Sequence, residues 1–197
     1  MAIVRRCSRH PKMKSAVELY LDHLDRITGL QGRFTQISPP EIRPSVYVAI
    51  YRGFPSSDVY SAFTVGLSFV PPPDQPDAHH ELILVMRSTD DSWAFAMGEL
   101  AFQLRGRVSF TPNQHFGFGA QISEESPMSC FFTHFPHAIS ATDACIALPD
   151  FRTHLIQLYP IYESERAFIR DHDSAAFISR IEPSQLYDPR REPVRNV

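Results

Sequence analysis

From Lys14 to Ile27, apolar residues return every three or four positions as Val17, Tyr20, Leu21, Leu24 and Ile27, with Glu18, Asp22 and Asp25 between them. That spacing gathers the apolar set on one face of a helix, and Gly29 and Gly32 supply the flexibility expected where it ends. Phe34 to Ile37 begins a short strand, and Pro39, Pro40 and Pro44 mark a loop. Val46, Tyr47, Val48, Ile50 and Tyr51 make Ser45 to Arg52 a strand, because β-branched and aromatic side chains suit a pleated surface. After a turn at Gly53 to Ser57, Tyr60 to Val70 predicts a second strand, with Phe63, Val65, Leu67 and Phe69 alternating against Thr64, Gly66 and Ser68. A period of two places one face in the core. Pro71, Pro72, Pro73 and Pro76 cannot donate to a ladder, so with Asp74 and Asp77 they form an exposed acidic loop.

His80 to Arg87 carries the unbroken apolar run Leu82 to Met86, the pattern of a strand covered on both faces. Asp90, Asp91 and Ser92 are N-cap candidates for a helix to Leu104, whose inward stripe is Trp93, Met97, Leu100 and Leu104, and Gly106 ends it. Met128 to Phe135 and His154 to Tyr159 read as further strands. Pro160 begins a last helical region in which Ile161, Phe168 and Ile169 face inward while Glu163, Glu165 and Arg166 stay in solvent, and Phe177, Ile178 and Ile181 extend the apolar contacts. The fold class is α/β (α+β), with helices packed on a mixed sheet. No Gly/Ser tract or charge block divides the 197 residues, so residues 1–197 read as one domain with loose ends at 1–13 and 192–197.

Charge narrows the function classes. With 19 basic and 22 acidic residues, the net charge of −3 offers no basic field for phosphates, so nucleic acid is not an expected partner. The N-terminal arginines 5, 6 and 9 precede no apolar stretch of the secretory type, and no segment reaches the roughly 20 apolar residues that cross a bilayer, so a cytoplasmic protein is expected. The widely spaced Cys7, Cys130 and Cys145 suit neither a disulfide framework nor a paired-thiol zinc site. Cys130, beside Phe131 and Phe132, reads as a small buried hydrophobe.

Candidate chemistry is sparse. His79, His80, His115, His134 and His137 are the available imidazoles, but adjacent histidines after a proline-rich loop lack the i, i+4 helical spacing of a zincin. Gly66-Leu67-Ser68-Phe69-Val70 lacks the second glycine of a nucleophile elbow, and Gly117-Phe118-Gly119 lacks the third glycine of a dinucleotide loop. The acidic pairs Asp90/Asp91, Glu124/Glu125 and Glu163/Glu165 carry no sign of the burial that separates acid and base roles. No cofactor is expected.

Four stretches carry a family resemblance: Thr64-Val65-Gly66-Leu67-Ser68, Glu81-Leu82-Ile83-Leu84, the Trp93 helix, and Leu158 to Glu165 with its Pro160-Ile161-Tyr162 core. Their order and spacing over roughly residues 14 to 191, with a closing Asp188-Pro189-Arg190, resemble the Suppressor of fused domain family. The resemblance implies a largely antiparallel sheet with helices and a non-enzymatic role. Animal members sequester Gli-type transcription factors, and bacterial single-domain members are proposed as immunity proteins against toxins. Animal members clamp an extended peptide with a second domain that has no counterpart in these 197 residues, and Ala62 stands where the family carries an aromatic, so the clamp is not carried over. The structural motif positions that do carry over are Gly66, Leu67, Ser68, Glu81, Pro160, Tyr162, Glu165 and Arg190.

Glu81, opening a buried strand, requires a hydrogen-bonding or cationic partner, and Arg190 is the candidate; Gly66 permits a bulge or a close backbone approach. The leading expectation is a protein-binding domain of immunity or antitoxin type that sequesters a partner polypeptide, such as a toxin encoded nearby. It would meet that partner with exposed sheet edges and with Asp74, Asp77, Glu124 and Glu125, and could also form homo-oligomers. The alternative is a metal-dependent hydrolase built on His79/His80.

Overall fold

The computed structural model describes residues 14–194. Cys7, the arginines at 5, 6, 9 and 195, and the ends at 1–13 and 195–197 lie outside the described residues. Residues 192–194, expected to be loose, are held: the Val194 amide donates to Glu165 at 2.9 Å.

Helix α1 spans Ala16–Thr28 and starts on a reciprocal cap, in which Ser15 Oγ accepts from the Glu18 amide and Glu18 accepts from the Ser15 amide. It stops where Gly29 takes a left-handed φ of 67°. Four antiparallel strands follow, β1 (Arg33–Gln36), β2 (Tyr47–Arg52), β3 (Tyr60–Val65) and β4 (His80–Met86), then helix α2 (Ser92–Leu104). Strands β5 (His115–Gly117), β6 (Cys130–His134), β7 (Cys145–Ala147) and β8 (Arg152–Ile161) complete the sheet, and helices α3 (Glu163–His172) and α4 (Ser174–Ile178) lead to a 3₁₀ turn at Pro183–Tyr187. The order across the sheet is β1-β2-β3-β4-β8-β6-β5, with β7 pairing β8. Only β4 and β8 run parallel, so the mixed, mostly antiparallel sheet is the expected class.

Helices cover both faces. One apolar layer joins Tyr20 and Leu24 of α1 and Phe168 and Phe177 of the C-terminal helices to Ala49, Phe63, Ile83, Val85 and Tyr159. The other sets Trp93, Met97 and Ala101 of α2 on Val48, Ala62, Leu82, Leu84 and Leu158. The central strands therefore lack a solvent face.

Two expectations change as a result. All six residues of β3 are buried, Ser61 and Thr64 included, and the strand stops at Val65 because Gly66 turns out of the ladder with φ +105°. The alternation from Tyr60 to Val70 reflects burial on two faces followed by a turn, not one wet face. Pro160, expected to open a helix, lies inside β8 opposite Phe131. Pairing of β8 with β4 ends at Leu158, so Pro160 has no neighbour strand on the β4 side, and a missing amide is tolerated at such a half-paired position. The helix starts at Glu163, and Glu165, expected in solvent, is fully buried.

Candidate functional site

The resemblance motif builds two buried carboxylate anchors. Glu81 opens β4 with 1% of its surface exposed, and its carboxylate accepts from Thr64 Oγ1 (2.6 Å), the Gly66 amide (2.9 Å), the Ser68 amide (3.0 Å) and Ser68 Oγ (2.7 Å). Thr64 Oγ1 in turn accepts from the Leu82 amide at 2.7 Å. Burial pushes the Glu81 carboxyl above its usual value and these donors oppose that shift. Its partners are thus hydroxyls and amides of the β3–β4 turn. Arg190 does not reach it: Arg190 is exposed, 3.8 Å from Glu125.

The second anchor is Glu165, which accepts from the Tyr162 amide and pairs with Arg191 through two bonds of 2.5 and 2.7 Å. The buried cation of the closing motif is Arg191, next to the expected Arg190. Both clusters turn their polar atoms inward and are consumed by holding turns and termini in place.

The histidines meet in pairs and not as a ligand set, and His134 stacks on His137 with ring centroids 5.6 Å apart. His80 and His154 lie opposite each other on β4 and β8 with ring centroids 6.3 Å apart, while His79 stacks on Phe151 at 4.0 Å. Among the described residues no three His, Cys, Asp or Glu side chains are placed to hold a metal ion, so the alternative built on His79/His80 has no ligand set there. Burial, aided by His154 and then His79, pushes His80 down from 6.5 to about 4. Between those values the unfolded chain takes up a proton that the folded chain refuses, so stability falls as pH drops from about 6.5 to 4. Urea midpoints measured at pH 7, 5.5 and 4.5 should decline, and His80→Phe should make the decline shallower; an identical pH profile in the variant would contradict this assignment.

The acidic candidates are also separated. Asp74 and Asp77 are exposed on the loop entering β4, whereas Glu124 and Glu125 lie on the arm after β5, and Ser123 of that arm bonds Asp90, just past the other end of β4. The 7 residues of β4 span about 23 Å at the usual strand rise, so the two acidic pairs do not form one patch. Glu125 is mostly covered and accepts from Ser88 Oγ at 2.5 Å, which makes it a tether of the arm.

Glu124 has a different setting. It rims a hollow of about 470 Å³ with Asp90 and Gln121, and this hollow shares Ser92 and Ile122 with a second of about 430 Å³. The second is walled by Thr35, Gln36 and Ile37 of the β1 edge, by Phe95, Ala96 and Glu99 on the outer side of α2, and by Phe118 and Ile122 of the arm. The two form one groove over α2, apolar along its floor at Ile37, Phe95 and Phe118, and acidic at Glu99, Glu124 and Asp90. Phe95 is 37% exposed. The β1 edge beside it has no strand on its outer side among the described residues. Ile37 donates to Val46, and the antiparallel alternation therefore points the amides and carbonyls of Phe34 and Gln36 outward. Asp91, paired with Arg33 of β1 and Arg52 of β2, fixes the start of α2 against this edge.

The family model of the Suppressor of fused protein (SUFU) matches residues 43–192, well over half of the 197. The chain belongs to the Suppressor of fused family. The SUFU fold is also seen in the solved structures it is similar to. A SUFU homologue from Neisseria gonorrhoeae aligns with TM-score 0.71 at 13% identity, covering 92% of this chain and 98% of that one. A chain of the Sufu–Fu complex aligns with TM-score 0.72 at 11% identity, covering 93% of each. Drosophila Suppressor of Fused aligns with TM-score 0.63 at 12% identity, and this chain spans about half of its length, 51%. No curated protein matches the sequence. In this SUFU chain the quoted motif residues Gly66, Ser68, Glu81, Tyr162 and Glu165 make internal bonds, while the open groove is lined largely by residues outside them. Of the residues around this groove the sequence singled out Glu124, which lies on its rim, and not Ile37, Phe95, Glu99 or Phe118, because these come from three distant stretches and each looks like ordinary core or surface in its own. The one available signal was Phe95, a large aromatic off the inward stripe of its helix.

Proposed function

We propose that this SUFU chain is a non-catalytic protein-binding module that sequesters a partner polypeptide by taking an extended segment of it into the groove over α2. The observation that carries the reading is the groove itself: an apolar floor beside an open strand edge, with carboxylates on its rim. An added strand gains main-chain bonds from Phe34 and Gln36, its apolar side chains cover Phe95 and Ile37, and basic side chains answer Glu99 and Glu124. The Sufu–Fu complex supports the reading as an instance of a related chain solved with another protein. Within that class the chemistry fits an immunity or antitoxin-like role in the cytoplasm against a basic toxin encoded nearby. Asp74 and Asp77 form at most a separate, peripheral contact.

The test is to co-express the chain with proteins encoded beside its gene and to measure the affinity of any complex by calorimetry. Phe95→Asp should weaken binding at least 10-fold, about 1.4 kcal/mol, and Glu124→Lys should make the association rate lower and less salt-dependent. Asp74→Lys should change the affinity much less. An affinity indifferent to Phe95→Asp in a variant that still folds would sink the groove, and turnover of a small molecule by the isolated chain would sink the non-catalytic reading.

A further inference from the structure

A second cavity, of about 430 Å³, opens on the other end of the sheet, walled by His80 of β4, His154 and Ile156 of β8, and by Pro112, Phe135 and Pro136. We propose that it is a binding site for a small uncharged aromatic molecule carrying one hydrogen-bonding substituent. Its volume lies within the roughly 300–1,000 Å³ typical of small-ligand sites, far above what a single water fills. Pro112 and Pro136, each with a fixed φ, stiffen the wall.

The lining selects the chemistry. Among the described residues it contains no Asp, Glu, Lys or Arg, so a charged ligand would lose its hydration without gaining a counter-ion there. The polar groups present are two imidazoles held side by side by strand pairing, His80 opposite His154. His80 Nδ1 is shut off from water and has no hydrogen-bond partner among the described residues. An unpaired buried nitrogen is unfavourable, and a ligand hydroxyl or amide that bonds the imidazole relieves that cost. Burial also keeps His80 neutral at pH 7, which suits an uncharged partner. Phe135 argues for an aromatic: at 62% it is the most exposed large apolar side chain among the described residues, and it lines the cavity, where a flat ring can stack and cover it.

The experiment titrates the purified chain with 2-naphthol, followed by calorimetry and by backbone amide NMR shifts, with 2-naphthoate as the charged counterpart. The expected result is saturable 2-naphthol binding at least 10-fold tighter than that of 2-naphthoate, with the shifts centred on residues 80, 135, 141 and 154. His80→Phe, which keeps the ring and removes the nitrogens, should weaken 2-naphthol at least 5-fold. Ala141→Trp, which fills the mouth from an exposed wall position, should abolish binding. No saturable binding, equal binding of the two probes, or shifts mapping elsewhere would overturn the proposal, and because the shifts are read on the unaltered chain this holds whether or not a variant folds.

Discussion

Gly66→Ala should lower the stability of the chain by about 4 kcal/mol, combining backbone strain of about 1–3 kcal/mol with the similar cost of forcing atoms into a filled space. Gly66 holds φ +105°, and a Cβ built there would sit 2.2 Å from the carbonyl oxygen of Ser45. That oxygen is main chain and cannot rotate aside. The neighbouring strand would have to retreat, and with it Val46, which is fully buried and accepts from Ile37 across the β1–β2 turn. The Gly66 amide is also one of the donors that neutralise the buried Glu81, so any shift of the turn loosens that carboxylate as well. Urea unfolding checks the number. Gly29→Ala is the internal control: its φ of 67° carries strain too, but open space surrounds the Cβ, and a loss of about 1 kcal/mol is expected. Equal losses at the two positions would mean that the approach of Ser45 is not what makes residue 66 a glycine.

The contrast between these glycines marks where the sequence was legible. Helix α1 is written locally, in three- and four-residue apolar spacing and in Gly29 as a stop, and its observed limits fall within a residue or two of the pattern. Strand β4 is legible for a similar reason, since Leu82 to Met86 leaves no wet position. What was misread depends on partners distant in the chain. The end of β3 is set by Ser45 meeting Gly66, and a pattern of alternating side chains does not register a backbone collision. Strands β5 and β7, three residues each, are too short to establish a period and exist because β6 and β8 present them with an edge. The groove over α2 is harder still, for it is made of side chains that each obey the rules of their own element. A cavity is a property of what the elements leave unfilled, and residue types do not report it.

Arg191→Met should be as damaging, at about 4 kcal/mol, because removing one partner of a buried ion pair leaves the other charge in a medium that cannot solvate it, at a cost of about 3–5 kcal/mol. Glu165 is fully buried and the Arg191 side chain is 7% exposed. The guanidinium meets the carboxylate in parallel bonds of 2.5 and 2.7 Å and lies over the Tyr162 ring, 5.3 Å from its centre. The same carboxylate accepts from the amides of Tyr162 and Val194, so one side chain fixes the start of α3 and the path of the C-terminal segment. The sequence set Arg190, from the closing motif of the resemblance, against Glu81 and left Glu165 in solvent, because 26 residues separate Arg191 from Glu165 and a buried glutamate on a helix rich in charge looks like any exposed one. Arg190→Met is the control: its 76% exposed side chain lies 3.8 Å from Glu125, and a pair of that length with its cation in solvent is worth less than about 1 kcal/mol. The double variant Glu165→Gln/Arg191→Met should lose much less than the sum of its single losses, since each change removes the reason the other was harmful. Hydrogen exchange at the Val194 amide should accelerate in Arg191→Met and stay slow in Arg190→Met. Additive losses, or equal exchange in the two arginine variants, would show that the C-terminal segment is held by its apolar contacts and that the Glu165 pair is incidental to it.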